Sequence, residues 1–188
     1  MTTRREQTSG ESRELILGAA AALFAEKGYR QTTFADVAER SGISRGSIPW
    51  HFGSKEGLLL AVLERSVEVV RTGLPEEADL DVLTVGLEGL FAQPTTKLFV
   101  TLLVEALEPG SPIHDRYAAI HEALREQCRR WLARFPLPAG LPVDALAVAL
   151  IGAGIGIHQQ WLVAPDKVDM TGALAAVRFL VAGAVSEG

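Results

Sequence analysis

The stretch whose reading decides the fold is TFADVAERSGISRGSIPWHF, running from Thr33 to Phe52. Thr33 can cap the free N–H groups of a short helix, with Asp36 at the N3 position. Ser41-Gly42-Ile43 is a three-residue turn built around glycine, and a second short helix is predicted from Ser44. Val37, Ala38, Ile43 and Ile48 should face inward. The small Ala38 lets the two helices approach, and Gly42 allows a sharp backbone turn. That is helix-turn-helix spacing, in which the second helix presents its N-terminal side chains to the DNA major groove. An ordinary helical hairpin buried in a core has the same spacing.

Outward from this stretch, nearly everything reads as helix: alternating strand-type runs are missing. Ile16, Ala19, Ala20, Leu23 and Phe24 form an apolar stripe that predicts a first helix over residues 11–27, stopped by Gly28. A fourth helix is predicted from Ser54, with Ser54 as cap and Glu56 at the positive end of its dipole. Thr72-Gly73-Leu74-Pro75 breaks the pattern and marks a boundary. Further helices are predicted at about 80–93, 95–108, 113–135, 143–163 and 170–186, for about nine in all. The fold class is therefore all-α.

Composition narrows the function. Of 188 residues 48% are hydrophobic and 22% charged, enough for a real core and too apolar for disorder. The single cysteine, Cys128, can form neither an internal disulfide nor a zinc site, and no apolar leader opens the chain. A reduced, cytoplasmic setting is expected. Residues 145–165 carry no charge, but the unbroken apolar part, Ala145–Ile157, is 13 residues long before His158-Gln159-Gln160. A membrane span needs about 20 such residues, so a buried core helix is expected and no membrane partner. The net charge of −5 is uneven: residues 1–60 carry +1 and residues 61–188 carry −6. The first third is thus the part suited to an anionic partner.

From Glu14 to Glu64 the chain resembles the N-terminal domain of the tetracycline-repressor (TetR) family of transcriptional regulators. The resemblance rests on Leu23-Phe24-Ala25-Glu26-Lys27-Gly28-Tyr29, Thr32-Thr33, Val37-Ala38-Glu39, Ser41-Gly42-Ile43-Ser44, Gly46-Ser47, His51-Phe52 and Ser54-Lys55-Glu56-Gly57-Leu58-Leu59. Ile157–Asp166 is similar to a weaker pattern near that family's penultimate helix. The resemblance implies a homodimer with a three-helix DNA-binding domain over 1–60 and a helical ligand-binding and dimerisation domain over 61–188. It implies operator DNA and an unknown small-molecule effector as partners, no cofactor, and most simply a repressor. By position, Thr33 would offer its hydroxyl and N–H to a phosphate. Ser44, Arg45 and Ser47 would lie on the early recognition helix, with Arg45 reading a guanine. Trp50 and His51 would press on the DNA backbone, Lys55 would meet a phosphate, and Arg4 and Arg5 would form an arm into the minor groove. One departure stands out: Pro49 occupies the family's usual tyrosine position and should bend or end the helix there.

In the body, the apolar 143–163 stretch needs cover on every side, which a pocket and a partner subunit together would supply. Gly152, Gly154 and Gly156 lack the preceding strand of a dinucleotide loop and fit close helix packing instead. Gly152, Gly156, Leu174, Val177 and Val181 are the candidate dimer residues, in a four-helix interface. Candidate pocket residues are Phe91, Phe99, Leu102, Leu103 and Tyr117, with His121, Cys128, Trp131, His158 and Trp161; plain core packing is the alternative for each. His114, Tyr117 and His121 share a helix face but have no carboxylate partner for a metal. The motifs of hydrolases, metalloproteases and phosphate-binding loops are missing, so no enzyme is expected. A dimeric helical interaction protein, or a regulator without a ligand, remains the alternative.

Overall fold

A computed structural model describes residues 4–72, 79–91 and 93–186; the side chains of 4–8, 80–84, 94, 95 and 184–186 are not described. Gly73–Pro75, part of the predicted boundary, lie outside the described residues. Nine helices and no strand occur among the described residues: α1 (Arg4–Lys27), α2 (Phe34–Ser41), α3 (Ser47–Phe52), α4 (Lys55–Thr72), α5 (Leu80–Phe91), α6 (Pro94–Leu107), α7 (His114–Leu132), α8 (Val143–Val163) and α9 (Met170–Ser186). The all-α expectation holds.

Three boundaries differ by three residues or more from those predicted. Helix α1 begins at Arg4 rather than residue 11, because its early residues are helix formers and the single Gly10 weakens a helix by only about 1 kcal/mol. Arg4 and Arg5 therefore lie in helical backbone rather than in an extended arm, and their side chains are not described. Helix α7 stops at Leu132, and Arg134 and Phe135 donate three residues back, to the Trp131 and Leu132 carbonyls. Pro136 forces this end, since the residue before a proline avoids helical backbone. Helix α3 begins at Ser47 rather than Ser44, as described below.

The described chain forms two compact units, residues 1–66 with 94–117 and residues 67–93 with 118–188. In the first, α1 packs on α2 and α6. The stripe predicted for α1 is buried throughout, and Ile16, Phe24, Val37, Ile48, Leu58, Leu63 and Leu98 fill the core. Each such side chain stabilises the fold by about 1.5–3 kcal/mol. In the second unit, α5 and α8 pack on α9. Its core gathers Trp131, Leu132, Ala147 and Val181, with Cys128, Phe135 and Leu146 against them. Helix α8 is long and apolar enough to cross a membrane by length and composition. Its buried residues, Ala147, Gly154 and His158, fall on one helical stripe.

Candidate functional site

Helix α2 is set by its cap. The Thr33 hydroxyl accepts from the Asp36 N–H, while the Asp36 carboxylate takes the Thr33 N–H and hydroxyl, each at 2.7 Å. Lys27 Nζ lies 2.7 Å from the same carboxylate. These donors hold the Asp36 carboxyl down to about 2, the Lys27 bond contributing most. Thr33, predicted to offer its donors to a phosphate, has both already engaged. At the other end Gly42 adopts φ +71° and its N–H returns to the Ala38 carbonyl. A side chain with a Cβ would be strained in that left-handed backbone, so glycine fits the turn.

The recognition helix starts later than its sequence suggests. Ser44–Gly46 form a turn closed by Ser47 N–H on the Ser44 carbonyl at 3.0 Å, and the two serine hydroxyls meet at 2.7 Å. Arg45 is exposed at this turn, just ahead of α3, with no side-chain bond or ion pair among the described residues. The six-residue α3 is too short to stand alone. Its anchor is Ile48, fully buried, with Val37 of α2 buried in the same unit.

Pro49 does not break α3. It sits in the first turn, where an N–H would have no partner within the helix, and the chain runs on helically to Phe52. Its carbonyl accepts the Gly53 N–H at 2.8 Å. Beyond it Trp50 is 74% exposed and meets the His51 ring edge-on at 4.6 Å. Burial, then the nearby Arg13 charge, pushes the His51 pKa down, so its ring is neutral near pH 7. Lys55, predicted to meet a phosphate, donates to the Arg30 carbonyl at 3.0 Å and stands over the Tyr29 ring. Arg40 is held bidentately by Glu26. Arg45 is thus left uncommitted, unlike Arg40 and Lys55.

Sequence reasoning missed Gly57. It lies in the first turn of α4, where Ser54 caps as predicted by accepting the Gly57 N–H at 3.0 Å. A Cβ on Gly57 would come within 2.2 Å of the Phe52 carbonyl oxygen, so glycine alone lets α3 and α4 meet this closely. The Gly57 within the Ser54–Leu59 run was the available signal, but spacing alone does not tell a clearance from a tolerated glycine.

The predicted pocket residues separate between the two units. Phe99, Leu102, Leu103 and Tyr117 belong to the first, where the Tyr117 hydroxyl donates to the Phe99 carbonyl at 2.7 Å and Leu102 is buried. Phe91, His121, Cys128, Trp131, His158 and Trp161 belong to the second. Trp131 and Cys128 serve the core there, and burial pushes the Cys128 thiol up to about 11. Phe91, His158 and Trp161 form a separate aromatic stack, with ring centroids 4.9 Å apart for Phe91–His158 and 6.1 Å for His158–Trp161. Burial shifts the His121 and His158 pKa values downward. His158 Nε2 is buried and without a hydrogen-bond partner among the described residues. Leaving such an atom unmatched costs about 1–3 kcal/mol. No cluster of metal-ligating side chains occurs among the described residues, and His114 Nδ1 bonds the Ala106 carbonyl at 2.9 Å.

The predicted dimer residues also divide. Leu174 and Val181 are buried within the second unit, so their stripe turns inward. Gly152 is exposed, while Gly156 and Val177 are half-buried. The outward large apolar side chains of α8 and α9 among the described residues are Val148, Val163, Phe179 and Leu180, the last three more than two-thirds exposed.

Residues 16–62 match the model of the bacterial regulatory proteins of the tetR family. Over these residues the chain is similar to the TetR family. Its relatives match over nearly the whole chain. The HTH-type transcriptional regulator TtgR of Pseudomonas putida is 28% identical across 92% of this chain and 90% of its own. The HTH-type transcriptional regulator AcrR of Shigella flexneri is 25% identical across 90% and 87%. The crystal structure of a TetR transcriptional regulator from Chloroflexus aurantiacus shares the fold, with a TM-score of 0.76, 22% identity, and 94% and 96% of the two chains covered. Like them, the chain is a helix-turn-helix transcriptional regulator, and these relatives regulate transcription rather than catalyse a reaction.

Proposed function

We propose that this regulator is a homodimeric repressor that binds operator DNA in the cytoplasm and leaves it when a small, largely apolar effector enters its body. The observation that carries this reading is the pairing of a capped α2 with a left-handed turn and an anchored α3. Ile48 holds α3 in place from the inside, and Arg45, Pro49 and Trp50 remain outside. Arg45, extended ahead of the helix, has the reach and donors to read a guanine edge. Trp50 and Ser47 supply further contacts, and Ser44, Thr33, His51 and Lys55 lie around them. Two such helices on a two-fold axis would enter successive major grooves about 34–36 Å apart.

Dimerisation is supported by the open face of α8 and α9. Val148, Phe179 and Leu180 stand out from it. Leu146, Ala149, Leu150, Ala153 and Val177 line an adjoining groove of about 250 Å³ with scarcely any polar surface. Apolar surface of this kind, flanked by Gly152, suits a self-complementary helical interface. Effector binding is supported by the Phe91–His158–Trp161 stack. An effector can act only by favouring one of two states, so DNA must weaken effector binding by the same factor.

The test selects bound fragments from random duplexes, then measures affinity against salt and against a compound library. A dimer by light scattering, binding that weakens steeply with salt and at least one releasing compound are expected. A monomer, or salt-independent binding, refutes the operator reading.

A further inference from the structure

The outward face of α3 carries no charge. Ile48 is fully buried, and at about 100° per residue Trp50 falls on the far side of the helix from it, with Pro49 between them. Pro49 and Trp50 are exposed, whereas His51 and Phe52 turn back into half-buried positions. The proline ring offers only carbon and hydrogen, so it neither donates nor accepts a hydrogen bond. Gly46, three residues earlier, has helical φ and ψ of −70° and −25°, which puts it on the same side as Pro49. A Cβ built on Gly46 would meet nothing within 4 Å. Gly46 and Pro49 thus form a shelf of carbon one turn long, open to the outside. Arg45, exposed and uncommitted, stands next to it in the chain.

We infer that Pro49 is a specificity-determining residue: its ring packs on the C5-methyl group of a thymine in the major groove, and the bare Gly46 lets the duplex come close enough for that contact. This rests on the operator-binding reading above. Base edges in the major groove present hydrogen-bond donors and acceptors, and thymine alone adds an apolar group to them. A donor or acceptor pressed against the proline ring would lose its water and gain no partner. A methyl group in the same place leaves water together with the ring, which is favourable. Tyrosine in place of Pro49 would bring a hydroxyl able to bond a phosphate, a contact that carries no sequence information. Arg45 and Pro49 therefore read by different chemistry, the first through hydrogen bonds and the second through shape and apolar contact.

The test takes the duplex that the full chain selects from random sequences and replaces each thymine in turn with deoxyuridine, which lacks only the methyl group. Titration of the wild type should find a thymine in each half of the operator whose replacement weakens binding about fourfold, the ratio expected for one buried methyl group. Pro49→Ser removes the ring at a first-turn position, where no helical bond is at stake, and should bind the thymine and deoxyuridine duplexes equally. Pro49→Ala keeps part of the apolar surface and should show a ratio between the two. Indifference of the wild type to every deoxyuridine replacement overturns the inference. So does a ratio undiminished in both variants, because another side chain or the shape of the duplex would then read the methyl group. Should Pro49→Ser fail to fold, the wild-type scan and Pro49→Ala still decide. A wild type that selects a sequence and ignores the methyl groups fails only this assignment of Pro49, whereas a wild type that selects no sequence at all fails the operator reading itself.

Discussion

Replacing Gly57 with alanine isolates the contact on which the geometry of the recognition helix depends. The new Cβ would stand 2.2 Å from the Phe52 carbonyl oxygen and 3.4 Å from its carbon. Side-chain carbons do not approach closer than 3.0 Å, so the end of α3 and the start of α4 must part by about 0.8 Å. Both groups are backbone or fixed to it, so rotation of a side chain cannot relieve the overlap. Overpacking of this kind costs about 2–3 kcal/mol, and alanine returns about 1 kcal/mol of helix propensity. A net loss of about 1–2 kcal/mol remains, which lowers Tm by roughly 2–8 °C for a chain of this size. The control is Gly10→Ala in α1, where nothing lies within 4 Å and the same exchange should stabilise by about 0.5–1 kcal/mol. Urea melts of the three proteins give the comparison, and operator titration should show Gly57→Ala weaker, since α3 has moved. A Gly57→Ala protein as stable as Gly10→Ala, with unchanged operator affinity, would refute the close-approach reasoning.

Further outcomes follow from single groups. Asp36 is held ionised in the fold, with its pKa lowered from 3.8 to about 2, so its contribution is complete above pH 4 and disappears as pH falls through 2. Urea melts between pH 5 and pH 2 should lose stability less steeply in Asp36→Asn, because that variant has already lost the contribution. Arg45→Ala should cost about 1–3 kcal/mol at one operator position, read by titrating a set of single-base operator variants. Uniform weakening across all variants would instead assign Arg45 to a phosphate. The Cys128 thiol, raised to about 11 by burial, should be alkylated by iodoacetamide at pH 8 far more slowly in the folded protein than in urea. Equal rates would show that the thiol is not buried.

Much of this molecule was readable in its residues because helices announce themselves locally. The apolar stripe of α1, the Thr33 and Ser54 caps, the Gly42 turn and the proline-bounded body helices all depend on residues within one or two turns of each other. Their capping bonds join near neighbours in sequence. The same local logic marked Pro49 as a breaker and missed that, with α3 starting at Ser47, a proline in the first turn removes no helical bond.

What the sequence could not decide is which face of a helix finds a neighbour. Leu174, Val177 and Val181 form a stripe in either direction, and only the packing of α9 on α8 and α5 shows that Leu174 and Val181 point inward, leaving Phe179 and Leu180 outside. Ten aromatic and apolar residues suggested one pocket; tertiary structure divides them between two units and singles out His158 by the atom it leaves unmatched. Composition and spacing determined an all-α chain with helix-turn-helix spacing, because caps and periodicity act along the chain, while its reading as a regulator came from the resemblance to the TetR family. Burial, clearance and hydrogen-bond satisfaction act between residues far apart in sequence, so the fold alone decided those.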